Sequence, residues 1–188
     1  MFTKHALGRG LPVLRTERLL FRGLTPSDDE TILRFLNDVE VIKYLNRVHL
    51  PTKLRARRLL KEIWISGARL ESVHYGICLL ETDELIGVIS FQQWKEDKKE
   101  AQIGYMFDRR YWGQGYGTEA VGRMIRFGFE ELGLQRIEGK CHEHNQRSQK
   151  VLIKNGMKYM RTHKHFSLFP KNGQDVLVYV KEQTLYSK

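Results

Sequence analysis

Residues 102–132 read QIGYMFDRRYWGQGYGTEAVGRMIRFGFEEL. The stretch opens as a short apolar strand, passes a turn holding Gly113, Gly115 and Gly117, and continues as an amphipathic helix. In that helix Val121, Met124, Ile125, Gly128 and Leu132 fall on one stripe, with Arg123, Arg126 and Glu130 away from it, and Gly133 supplies the stop. A strand that enters a helix through a glycine turn gathers free backbone N–H groups and the positive end of a helix dipole at one point, which suits a phosphate. Two nucleotide motifs are excluded. A Walker A loop requires GxxxxGK[ST], and neither the Lys nor the spacing is present. A dinucleotide fingerprint requires GxGxxG at the first helix of a parallel βαβ unit, whereas GxGxG here follows antiparallel hairpins. On spacing alone, the glycines make a tight loop equally well.

Working outward, residues 74–81 and 84–94 are β-rich runs joined at Thr82-Asp83, and residues 101–107 form the third strand of a meander after a charged turn at 95–100. Earlier, residues 18–24 form a first strand, and Thr25-Pro26-Ser27-Asp28-Asp29-Glu30 supplies helix-start chemistry. Ile32, Leu33, Leu36 and Val39 follow at helical spacing. Residues 41–45 and 52–67 predict two further helices, and residues 1–16 an irregular lead-in. Downstream come a strand at 136–142, a helix at 146–155, and strands at 157–166 and 176–181 around Lys171-Asn172-Gly173. This order predicts one α/β (α+β) domain over residues 1–188, a mixed sheet with helices on both faces.

With 188 residues, 41% apolar and 29% charged, the chain suits one soluble domain with a sizeable core. No apolar run approaches the roughly 20 residues that span a bilayer, and the N-terminus lacks a secretory h-region. Cys78 and Cys141, each in a strand-like run, read as buried free thiols of a reducing compartment, with cytoplasm the expectation. The net charge of +10 suits an anionic partner. The densest basic run, KLRARRLLK at 53–61, reads as a helix with solvated basic faces; no nucleic-acid reader motif accompanies it, so nucleic acid is not the expected partner. Cys141-His142-x-His144 and His163-x-His165 place histidines on shared strand faces without completing a ligand spacing, so no metal is expected.

YWGQGYGTEA at 111–120 resembles motif A of the GNAT superfamily of acetyl-CoA-dependent N-acetyltransferases, and the chain as a whole is similar to its RimJ/RimL branch. TERLLFR, ELIGVISF, IGYMFD, Asn145-Gln146-Arg147-Ser148 followed by VLIKNGM, and NGQDVLVY match that branch in order, over about residues 15–182. The resemblance implies a mostly antiparallel sheet splayed at a V-shaped cleft that takes acetyl-CoA. Backbone groups of Met106 and Phe107 would hold the pantetheine arm. Amides of Trp112, Gly113, Gln114, Gly115, Tyr116, Gly117 and Thr118 would hold the pyrophosphate, and Asn145 would touch the far side of the cofactor. After Gly156 the chain reads Met157 and then Met160-Arg161, where the branch commonly has Gly-Phe and later Glu-Gly.

An amine attacking a thioester must be neutral, its oxyanion needs a donor, and the departing thiolate benefits from a proton. The resemblance makes a backbone N–H near Phe107 the donor and Ser148 the acid; Ser148 reads equally well as a helix N-cap. Many family members carry Glu where this chain has Gln102, and an amide takes no proton. Glu100 and Glu138 are the acidic alternatives, each also readable as a solvated carboxylate. Cys141 aligns with a cysteine of the branch. It is conceivable as a nucleophile, but its apolar surroundings favour an inert thiol. The aromatics Trp94, Tyr105, Phe107, Tyr111 and Trp112 line the cleft or pack the core. The expected activity is direct acetyl transfer in a ternary complex to a primary amine, with a protein N-terminal amine first among acceptors. The alternatives are a small-amine or antibiotic acetyltransferase, and an RNA- or protein-binding module on the same scaffold. A monomer or a homodimer fits equally.

Overall fold

Strand β4 (Leu85–Lys95) explains the layering: its first seven residues are all buried, so the sheet is covered on both faces. The computed structural model describes residues 10–44, 53–68, 71–164 and 175–183. Among them, one eight-stranded sheet runs in the order β1-β2-β3-β4-β5-β6-β8-β7. The other strands are β1 (Leu14–Arg15), β2 (Leu19–Arg22), β3 (Val73–Leu79), β5 (Glu100–Phe107), β6 (Arg136–His142), β7 (Lys158–His163) and β8 (Val176–Glu182). The helices are α1 (Asp29–Asn37), α2 (Val39–Ile42), α3 (Lys53–Ala68), α4 (Tyr116–Arg126) and α5 (Gln146–Lys154). Phe21, Tyr75, Ile77, Ile89, Ile103 and Phe107 pack against α4 and α5 through Val121, Met124 and Leu152. On the opposite face Cys78, Leu85 and Val88 pack against Ile32, Phe35, Leu60 and Ile63 of α1 and α3.

The pairings are antiparallel except one: β5 and β6 run parallel, in register from Glu100↔Arg136 to Ile103↔Gly139. Beyond that pair the strands part. β5 follows β4 to Gly87↔Phe107, while β6 follows β8 to His142↔Val176. The gap between residues 104–107 and 140–142 is the V-shaped cleft of the sheet.

Several elements differ from the sequence reading. Leu14–Arg15 lies inside the expected irregular lead-in, yet it forms β1, because Leu14 is buried opposite Phe21. Helix α2 starts at Val39, since Asp38 caps it by accepting the Glu40 N–H. Val39 is therefore 72% exposed, and Phe35 and Val41 fill the core instead. The long helix does not stay α-helical across its stripe: Phe127–Glu131 widens into a π-turn. A Cβ on Gly128 there would approach Phe91 to 2.8 Å and Ile137 to 2.9 Å. The Lys171-Asn172-Gly173 turn lies outside the described residues.

Candidate active site

The glycine turn joins β5 to α4. Gly113 and Gly115 sit at φ of +79° and +86°, a region where side chains are strained. Gly115 is the N-cap of α4 and no side chain caps the helix. The first-turn N–H groups, those of Tyr116, Gly117 and Thr118 among them, thus have no intrahelical acceptor, and the Glu119 N–H is the one that reaches Gly115 O. Arg18 of the β1–β2 turn braces the arch. Its guanidinium donates to Gln114 O at 3.1 Å, stacks over the Tyr116 ring at 4.4 Å and pairs with Glu119 at 2.6 Å. Glu119 also accepts from the Thr16 hydroxyl and the Arg18 N–H. Burial alone would raise its pKa; the hydrogen bonds from Thr16 and Arg18 outweigh that and hold it below the ordinary carboxylate value. The Gln114 side chain is spent on Arg110 O, and the Trp112 indole on Phe107 O with Arg147 over its ring.

In the cleft, the Asp108 N–H donates to Ile86 O, and antiparallel alternation then turns residues 106 and 104 toward β4. Met106 pairs with Val88 and its side chain packs with the α1–α3 core, so its backbone serves the sheet and not the cleft. The expectation of Met106 at the pantetheine arm thus meets a backbone turned to β4. The groups turned to the open side are the Tyr105 N–H and C=O and the Phe107 N–H; Phe107 O is already occupied by Trp112.

Ser148 stands in the first turn of α5 facing β5. The N-cap is Asn145, whose Oδ1 accepts the Ser148 N–H at 3.1 Å, which corrects the reading of Ser148 as cap. The same bond commits one end of the Asn145 amide to α5. The Ser148 hydroxyl lies 2.8 Å from the Tyr105 hydroxyl. Burial raises the Tyr105 phenol well above its usual pKa, with the Ser148 bond opposing. Cys141 is buried beside the same pair, and burial pushes its thiol up to about 11, so at neutral pH it stays protonated.

On the opposite face of the sheet, Arg136 gathers three carboxylates: Glu182 at 2.7 Å, Glu138 at 3.2 Å and Glu100 at 3.8 Å. Glu138 is also 3.8 Å from Arg161. Glu138 lies across from Gln102, one pair from the opening; Glu100 is two residues further back, about 7 Å of strand. Gln102 Oε1 is buried without a hydrogen-bond partner, as is His142 Nδ1, whose ring packs on Tyr44. Sequence reasoning missed Arg18, Glu119, Thr16 and the Tyr105–Ser148 pair. Ser148 carried a signal as the candidate acid and Tyr105 as a cleft or core aromatic, but nothing in the sequence joined the two.

The arch fits a pyrophosphate: its amides are uncapped, its glycines leave it bare of side chains, and Arg18 adds positive charge. The open strand edge fits an amide-bearing arm. The profile of the acetyltransferase (GNAT) domain matches residues 18–158. An uncharacterised N-acetyltransferase of Bacillus licheniformis, p20, is 34% identical over 142 residues, covering 76% of this chain and 80% of that protein. The ribosomal-protein-serine acetyltransferase of Escherichia coli is 37% identical over 78 residues, 42% of this chain and 44% of its own. Among solved structures, RimL, a ribosomal alpha-N-protein acetyltransferase in complex with coenzyme A, superposes with a TM-score of 0.82 at 21% identity, over 91% of this chain and 98% of that one.

Proposed function

We propose that this chain, which belongs to the GNAT acetyltransferase family and is an acetyl-transferring enzyme using acetyl-CoA, passes the acetyl group directly to a protein N-terminal amine. The observation that carries this reading is the parting of β5 and β6 immediately before the glycine arch. It opens the sheet to both faces, so a donor on the α4–α5 side and an extended acceptor on the α1–α3 side can meet at one point. The likeness to RimL and to the ribosomal-protein-serine acetyltransferase supports a polypeptide acceptor.

Bound acetyl-CoA supplies an activated thioester carbonyl. The amides of Tyr116, Gly117 and Thr118, with Arg18 behind them, hold the pyrophosphate. The Tyr105 backbone edge orients the pantetheine arm, and the Phe107 N–H, turned to the same open side, donates to the carbonyl oxygen as negative charge develops. Ser148 gives its proton to the departing sulfur, and the Tyr105 hydroxyl, 2.8 Å from the Ser148 hydroxyl with either oxygen able to donate, holds it in place. Glu138, level with Gln102, takes the amine's proton through water, with Glu100 as the more remote alternative. Gln102 offers its free carbonyl to the amine. Buried free Cys78 and Cys141 suit a reducing cytoplasm, and among the described residues no helix is long and apolar enough to cross a membrane.

The test is mass-spectrometric detection of acetyl transfer from acetyl-CoA to a panel of free-N-terminus peptides and small amines. Transfer to peptide N-termini with kcat/KM well above that for small amines is expected. Transfer confined to small amines would overturn the acceptor assignment, and salt-sensitive RNA binding without transfer would favour a binding module.

A further inference from the structure

The last turn of α1, the α1–α2 corner and the turn leaving β5 enclose an open cavity of about 590 Å³, lined by Arg34, Asn37, Asp38, Asp108, Arg109 and Arg110. It starts at the residue after Phe107, beyond the open end of β5, and lies on the α1 side of the sheet. Its lining carries three guanidinium groups and two carboxylates, and Arg109 stands apart from the ion pairs of the described residues. The buried Asp108 carboxylate is already shared by Arg34 at 3.3 Å and Arg110 at 2.8 Å. Asp38 Oδ1 is engaged by the Glu40 N–H. Arg110 has a second carboxylate in Glu84 at 2.9 Å. Arg109 is exposed and makes no ion pair among the described residues. Asp108 is thus committed on both oxygens and Asp38 on one, Arg110 is shared by Asp108 and Glu84, and Arg109 and the open edge of Arg34 are left to a ligand.

We propose that this cavity receives an acidic side chain of the acceptor polypeptide. The inference rests on the polypeptide acceptor proposed above and adds its chemistry. Arg109 follows Phe107 by two residues, about 7 Å of chain, which an extended acceptor covers in about two residues. The acid therefore falls at the second to fourth position after the acetylated amine. A guanidinium fork suits a carboxylate better than any other peptide group, and the exposed Arg109, unpaired among the described residues, draws an acidic segment before it docks.

The experiment uses the full chain and three peptides that are identical except for Asp, Asn or Lys at position three. For wild type and Arg109→Glu, kcat/KM is measured for each peptide, together with KM for acetyl-CoA. Equilibrium binding of the same peptides, pre-acetylated and in the presence of coenzyme A, is measured in parallel. Wild type is expected to favour Asp over Lys about tenfold or more. Arg109→Glu is expected to reverse the order in both turnover and binding, leaving KM for acetyl-CoA within about twofold. Equal values for the three peptides in both measurements would overturn the proposal, as would an Arg109→Glu effect confined to acetyl-CoA, which would assign the cavity to the cofactor. Charge-dependent binding without turnover of any peptide would sustain the cavity and refute the acceptor assignment.

Discussion

Gly115→Glu puts a carboxylate into the glycine arch whose uncapped amides suit a pyrophosphate. The backbone at this position has φ +86° and ψ −10°. A side chain in the left-handed region costs roughly 1–2 kcal/mol, and the stiffer unfolded chain returns roughly 0.4–1 kcal/mol of it. The net is about 1 kcal/mol, which for a chain of this length lowers the apo melting temperature by about 2–4 °C. The added Cβ also comes within 3.3 Å of Arg18 Nη2, the guanidinium that braces the arch. The ligand effect is larger. At 100 times Kd, acetyl-CoA stabilises wild type by about 2.7 kcal/mol, or about 5–11 °C at the same conversion. A carboxylate about 5 Å from a phosphate charge opposes it by about 3 kcal/mol at an effective dielectric of 20, enough to cancel that gain. Thermal-shift titration with acetyl-CoA is therefore expected to show a clear rise for wild type and none for Gly115→Glu. Gly115→Ala, which shares the backbone strain without the charge, should keep part of the rise. A Gly115→Glu protein with a wild-type ligand shift would refute the cradle.

Three further outcomes follow from the site. Ser148→Ala should lower kcat by about 100-fold with KM for acetyl-CoA little changed, and Tyr105→Phe should lower kcat by about tenfold; full turnover by Ser148→Ala in steady-state assays removes it as the acid. Glu119 has its folded pKa held below the ordinary 4.5, so its stabilisation is present above that pH and lost as pH falls through the folded value. Melting curves for Glu119→Gln should accordingly lose part of the wild-type decline between roughly pH 5 and 3, and curves parallel to wild type would count against the Arg18–Glu119 brace. Cys141→Ala should keep most of its turnover, and wild-type Cys141 should resist alkylation at pH 7.5, because burial holds its thiol near 11; abolished transfer in Cys141→Ala would restore the covalent route.

What could be read in the chain depended on whether the cause was local. The backbone need of Gly113 and Gly115 was legible because a turn of this tightness selects glycine, and β6 was placed at Arg136–His142 because its neighbours alternate apolar and polar. The splayed fold came from the order of several motifs together. Features set by pairing were not legible. Whether Met106 or Phe107 faces the cleft depends on hydrogen-bond parity with β4, which no side chain records. The brace joins Arg18 to Glu119 across 101 positions. Asn145 and Ser148 are both good caps, and only the observed bond from the Ser148 N–H assigns the role to Asn145. Val39 kept the helical period but lay just beyond the end of α1, where a new cap redirected the chain.

Acetyl transfer to a protein N-terminus is read from the site of acetylation on a peptide that carries both a free N-terminal amine and an internal lysine, incubated with the protein and acetyl-CoA and sequenced by tandem mass spectrometry. A single acetyl group on the N-terminal nitrogen, absent when Gly115→Glu replaces wild type, is the expected result. Acetylation of neither amine while a small free amine is consumed would contradict the account.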